Sequence, residues 1–204
     1  MSTSSLSRPI AAARRVILGS TSPYRRELLS RLRIPFETAR PEVDESPFPG
    51  EAPDALARRL ALAKAREVSR RFPDAVIIGS DQVADLAGEP LGKPGTHARA
   101  VAQLRRMRGQ TVVFQTAVAV VCAATGFEQL DLAAVRVVFR ELDDGEIERY
   151  LQAEQPYDCA GSAKSEGLGI ALLNRIDNDD PSALVGLPLI RTCHMLRAAG
   201  VPVL

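Results

Sequence analysis

An α/β fold is predicted for this 204-residue chain from three observations. Continuous apolar runs at 16–19 and 75–79 read as strands buried on both faces. Segments of helical period alternate with them. Two long valine-rich stretches, 111–122 and 133–140, flank a Thr125-Gly126 turn and read as neighbouring antiparallel strands. No repeat of fixed period and no low-complexity linker interrupts the chain, so one α/β domain around a cleft is expected. That domain is placed at 15–204, after a flexible Ser- and Arg-containing tail at 1–14.

Each element has a local cause. The run at 16–19 enters the turn Ser20-Thr-Ser22, and Pro23 suits the first turn of a helix over 23–32, in which Leu28, Leu29 and Leu32 share a face. A short strand follows at 36–39. The acidic, proline-bounded loop 41–47 then leads to a helix over 53–70, with a core stripe at Leu56, Leu60 and Ala63. Arg58, Arg59 and Arg66 take its exposed face. The apolar run at 75–79 ends at Ser80-Asp-Gln82, where an open α/β sheet places ligands. A hairpin-like segment at 86–91 and the turn 92–95 precede a helix over 96–107, which Gly109 stops. Further helices are expected at 143–152 and 187–199.

Composition excludes several classes. Twenty-six Lys and Arg against twenty-five Asp and Glu leave a net charge of +1, too balanced for coating nucleic acid. Three widely spaced cysteines give neither a disulfide framework nor a C-x-x-C pair, which fits a reducing cytoplasm. The Ala11-Ala-Ala13 run is too short for a signal-peptide core or a membrane span. His97 and His194 are far apart and unclustered with cysteine, so zinc is not expected. Asp177-Asn-Asp-Asp180 lacks the glycine and distal glutamate of a calcium loop and reads as a solvated turn. Arg105, Arg106 and Arg108 end a helix, where cations favour the dipole.

The chemistry concentrates near the first turn. Backbone N–H groups at the start of the helix after Ser22 are a place for phosphate, Ser20 and Ser22 add hydroxyls, and Arg25 and Arg26 add charge. Glu42 and Asp44 in the acidic loop, Asp81 after the apolar run, and Lys64 and Lys93 supply the carboxylates and cations of divalent-metal phosphate chemistry. Each also has a structural alternative: a helix cap for the serines, a turn cap for Asp81, solvated charges for Glu42, Asp44 and Lys64.

In order and approximate spacing, Ser20-x-Ser22-x-x-Arg25, Glu42-x-Asp44, Lys64-Ala65, Gly79-Ser-Asp81, Gly92-Lys93-Pro94 and Gly186-Leu-Pro188 resemble the Maf family of nucleoside triphosphate pyrophosphatases. The resemblance covers most of the chain. It implies a twisted mixed β-sheet flanked by helices with a substrate cleft, the Maf/ITPase-like arrangement. It also implies metal-dependent hydrolysis, with Mg²⁺, Mn²⁺ or Co²⁺, of a triphosphate to a monophosphate and pyrophosphate. By this resemblance Asp81 is the general base, Arg25, Lys64 and Lys93 neutralise the triphosphate, Ser20 and Ser22 bind it, and Asp44 with Glu42 helps hold the metal. A homodimer is implied by the resemblance alone, and no nucleic-acid or membrane partner is expected.

Gln82 replaces the threonine of the branch that handles dTTP and UTP, and Ser80-Asp-Gln82, Cys159-Ala-Gly-Ser162 and Lys164-Ser-Glu166-Gly resemble the branch that hydrolyses 7-methyl-GTP. A 7-methylated guanine carries positive charge and gains from an aromatic face and a carboxylate, for which Tyr24 and Glu166 are the candidates. Gln82 is a further base or sugar contact. Tyr24 stands where that branch often has tryptophan, a stronger cation-binding face. Two rival readings remain: a pyrophosphatase acting on dTTP, UTP or many nucleotides, and a nucleotide-binding cell-division regulator without turnover.

Overall fold

The computed structural model describes residues 14–204. Of the tail expected at 1–14, all but Arg14 lies outside the described residues; Arg14 Nη1 donates to Cys122 Sγ at 3.2 Å.

Strand β1 (Val16–Gly19) enters helix α1 (Pro23–Ser30), followed by β2 (Glu37–Ala39) and α2 (Pro53–Arg71). The sheet continues in β3 (Val76–Leu86) and β4 (Glu89–Leu91), and α3 (His97–Met107) leads to β5 (Thr111–Cys122) and β6 (Phe127–Phe139). Helix α4 (Asp144–Glu154), strand β7 (Leu173–Asp177) and helix α5 (Leu189–Ala198) complete the chain. The sheet order is β2-β1-β3-β5-β6-β7, with β4 also paired to β3. Strand β1 is parallel to β2 and β3, whereas the other pairs are antiparallel, so the sheet is mixed as the resemblance implied.

Side chains on a strand alternate between faces, and here that alternation assigns the helices to layers. Ile17, Ile77, Ala117 and Ala119 pack under Leu56, Leu60, Ala61 and Val68 of α2. Their neighbours Val16, Leu18, Val76, Ile78 and Val118 pack on the opposite side with Leu28 and Leu29 of α1 and Leu196 of α5. A second core joins the far halves of the long strands, through Val112, Phe114, Val135 and Val137, to Leu104 of α3 and Ile147 of α4. Gly79 lets α2 lie directly on β3: a Cβ there would come within 2.3 Å of Ala61 O.

Three expectations change. Strand β3 does not stop at Gly79; it runs to Leu86, paired with β5 as far as Asp85 with Val113, so Asp81 sits inside a strand. Strand β6 begins at Phe127, not 133, because Glu128, Gln129 and Asp131 are ladder residues opposite Val121, Val120 and Val118. Strand β7, unforeseen, closes the sheet against β6. The solvated turn expected at 177–180 is also corrected. Asp180 is fully buried, with Oδ2 accepting from Arg191 N at 3.2 Å and Oδ1 3.0 Å from Ser182 Oγ.

Candidate active site

A cleft of about 760 Å³ opens beside the middle of β3 and collects residues from both ends of the sequence. At its inner end the strand alternation that turns Ile77 toward α2 also turns Asp81 that way, where Lys64 meets it. Lys64 Nζ lies 2.6 Å from Asp81 Oδ1 and 2.8 Å from Glu45 Oε1. Lys64 and Asp81 are buried, and each satisfies the other's charge; an unpaired ion at either position would be costly. Lys64 uses one carboxylate oxygen of Asp81, leaving Oδ2 free of that bond.

The α1 turn forms the adjoining wall. Ser22 caps the helix, its hydroxyl oxygen accepting from Arg25 N at 3.3 Å, and Ser20 Oγ accepts from Ser22 N at 3.1 Å. Both hydroxyls act as acceptors in these bonds, so their protons remain available to a ligand. Arg25 Nε donates to Gly186 O at 2.8 Å. Burial lowers the Arg25 guanidinium's pKa, and the charges of Asp81 and Glu45 oppose that shift without cancelling it. Lys93, exposed on the turn after β4, also lines the cleft.

A strap, residues 183–186, closes the face of β3 opposite α2. The single Ser80 Oγ–H has two carbonyls within reach, Gly186 O at 2.9 Å and Ala117 O at 2.8 Å, and Thr116 Oγ1 donates to Ala183 O at 2.9 Å. Gln82 Nε2 lies 2.9–3.0 Å from Thr116 Oγ1, Ala183 O and Leu184 O. Three acceptors around that nitrogen fix the amide's orientation and leave Oε1 as its free polar atom. Gly186 has φ of +120°, and the Ser182 hydroxyl holds the strap's far side, accepting from Leu189 N at 2.7 Å.

At the outer end Tyr24, Asp158, Cys159 and Glu166 line the cleft. Tyr24 OH donates to Asp158 Oδ2 at 3.3 Å, and Lys164 Nζ lies 5.6 Å from the centre of the Tyr24 ring. Burial, with the neighbouring Cys159 and Asp158, raises the Tyr24 phenol. Burial and Asp158 push the Cys159 thiol up to about 12.

Of the expected site residues, Ser20, Ser22, Tyr24, Arg25, Asp44, Lys64, Asp81, Gln82, Lys93 and Glu166 all line this cleft. Glu42 does not. It is exposed, and its backbone N–H donates to Glu67 Oε2 at 3.1 Å. Asp44 Oδ1 accepts from Ser46 N at 2.9 Å, a bond that lowers its pKa. The loop carboxylate that reaches Lys64 is Glu45, next to Asp44 but not among the residues expected from sequence. Among the described residues no three His, Cys, Asp or Glu side chains form a metal cluster. The two carboxylates that meet Lys64, those of Glu45 and Asp81, are oxygen donors of the kind that could hold a divalent cation if substrate phosphates completed its shell. No described helix is long and apolar enough to cross a membrane.

A protein of Polaromonas sp. (strain JS666 / ATCC BAA-500), named 7-methyl-GTP pyrophosphatase, is 78% identical over 93% of this chain and 86% of its own. Its namesakes from Albidiferax ferrireducens and Aromatoleum aromaticum are 70% and 61% identical. They cover 98% and 92% of this chain and 99% and 96% of their own lengths. The sequence profile of the Maf-like proteins matches residues 15–199, and the chain belongs to that family.

Proposed function

We propose that this protein is a hydrolase that cleaves 7-methyl-GTP between its α and β phosphates, releasing 7-methyl-GMP and pyrophosphate and so removing a modified nucleotide. The observation that carries the reading is the buried Lys64, which holds Asp81 and Glu45 together beside a turn that presents Ser20, Ser22 and Arg25. The names of the similar proteins support the substrate.

Arg25, Lys64 and Lys93 neutralise the triphosphate, and the hydroxyls of Ser20 and Ser22 donate to its oxygens. Asp81, oriented through Oδ1 by Lys64, uses Oδ2 to align water and take its proton as the anhydride breaks. Glu45 and Asp81, with Asp44 on the same wall, would hold a divalent cation, which when bound neutralises charge developing on the phosphate oxygens. The pyrophosphate leaving group needs no protein proton for its departure when Arg25 and Lys93 stabilise its charge.

At the outer end the cationic ring of 7-methylguanine lies against Tyr24 and close to the carboxylates of Asp158 and Glu166. Glu166 accepts from the N1 and N2 donors of the base, and Gln82 Oε1 accepts a further base or sugar donor. Residues 15–204 act as one domain in the cytoplasm, where the three free cysteines remain reduced. A homodimer follows from the family resemblance alone.

Chromatography of the wild-type protein with 7-methyl-GTP and Mg²⁺, Mn²⁺ or Co²⁺ tests the chemistry. The expected products are 7-methyl-GMP and pyrophosphate, with Asp81→Asn binding the nucleotide but turning it over at least about a hundredfold more slowly. Tight binding by the wild type without pyrophosphate release under all three metals favours the regulator reading.

A further inference from the structure

We infer that Lys164 tunes the selectivity of the outer end by placing a second cation on the ring that reads the base. The inference rests on the proposed function and concerns a ring-charged purine against a neutral one.

Lys164 Nζ lies 5.6 Å from the Tyr24 ring centre, within the range of a cation–π contact, and 2.8 Å from Glu154 Oε1. Its place is built in. The Lys164 N–H donates to Tyr150 OH at 3.0 Å, and its carbonyl accepts from Gly167 N at 3.1 Å and Gly169 N at 3.0 Å. Gly169 is required for this turn, because a Cβ there would meet Lys164 O at 2.5 Å. Glu154 is held in turn: its Oε2 accepts from Leu168 N at 2.8 Å.

Tyr24 lines the cleft, but Lys164 is absent from its lining. A cation beside the ring draws on the same π density that would attract a charged base. If the base approaches from another side, Lys164 polarises the ring away from it; if from the same side, the two compete. The sign is the same in both cases, and direct repulsion between the charges adds to it. Neutral guanine suffers neither effect. Glu154 offsets the lysine charge, so the Lys164–Glu154 pair sets how far the site favours 7-methylguanine over guanine.

The test is the ratio of kcat/KM for 7-methyl-GTP to that for GTP, measured in the wild type, Lys164→Met, Lys164→Arg, Glu154→Gln and the Lys164→Met/Glu154→Gln double variant. Lys164→Met is expected to raise the ratio about two- to fivefold, Glu154→Gln to lower it, and the double variant to fall between them. Lys164→Arg keeps the cation and is expected to keep the wild-type ratio, so a general disturbance of the turn is told apart from loss of charge. A ratio within about 1.5-fold of wild type in both Lys164→Met and Glu154→Gln overturns the inference. Absence of any preference for 7-methyl-GTP in the wild type itself overturns the proposed substrate first, and this assignment with it.

Discussion

At the inner end of the cleft Lys64 and Asp81 are buried on α2 and β3 and bonded to each other; at the outer end Tyr24, Asp158, Cys159 and Glu166 are half-buried or exposed, on a helix start and the turns after α4. The difference suits the two tasks proposed for the two ends. Groups that handle the reacting phosphates need fixed geometry and a low local dielectric, which packed sheet and helix supply. Groups that choose a base can sit on loops, where sequence changes leave the core intact.

Breaking the inner end should therefore damage every substrate alike. Lys64→Met leaves Asp81 buried without its partner; kcat/KM should fall about a thousandfold for 7-methyl-GTP and GTP equally, and thermal denaturation should show a loss of about 3 kcal/mol. A loss confined to one nucleotide would mean that Lys64 belongs to base recognition.

Substitutions at the outer end should separate the substrates. Tyr24→Leu should lower the preference for 7-methyl-GTP over GTP about three- to tenfold, with little change in kcat for GTP. An unchanged preference removes Tyr24 from base recognition and leaves it a packing residue at the start of α1.

The smallest effect concerns Cys159. Its folded-state pKa is raised from 9.0 to about 12, so the thiol is neutral in the folded protein where the unfolded chain would ionise. The linked stability is fully present below pH 9 and is lost as pH rises toward about 12. Iodoacetamide labelling at pH 9 should consequently be slow at Cys159 in the native protein and become fast in urea. Equal rates in the two states would contradict this burial.

The sequence reveals the inner end better than the outer one, for a physical reason. The apolar run before Asp81 and the cap at Ser22 are local signals, and both elements form where those signals place them. The continuation of β3 past Asp81 is less visible, because the cleft admits polar residues into a strand that still pairs with β5. Which acidic-loop residue reaches Lys64 depends on how the loop crosses α2, so Glu42, Asp44 and Glu45 cannot be ranked by spacing. Asp180 looks like a surface charge among its neighbours, yet its buried carboxylate meets Arg191 and Ser182, contacts that spacing does not reveal. Lys164 stands in a sequence motif, but its contacts are not legible there, because its partners Tyr24 and Glu154 come from other elements.

The most direct measurement is pyrophosphate release by the wild-type protein from 7-methyl-GTP, GTP, dTTP and UTP under one divalent metal. Our account predicts that 7-methyl-GTP has the highest kcat/KM, by at least about tenfold over GTP, with 7-methyl-GMP as co-product. Comparable rates on dTTP and UTP, or release of orthophosphate in place of pyrophosphate, would contradict it.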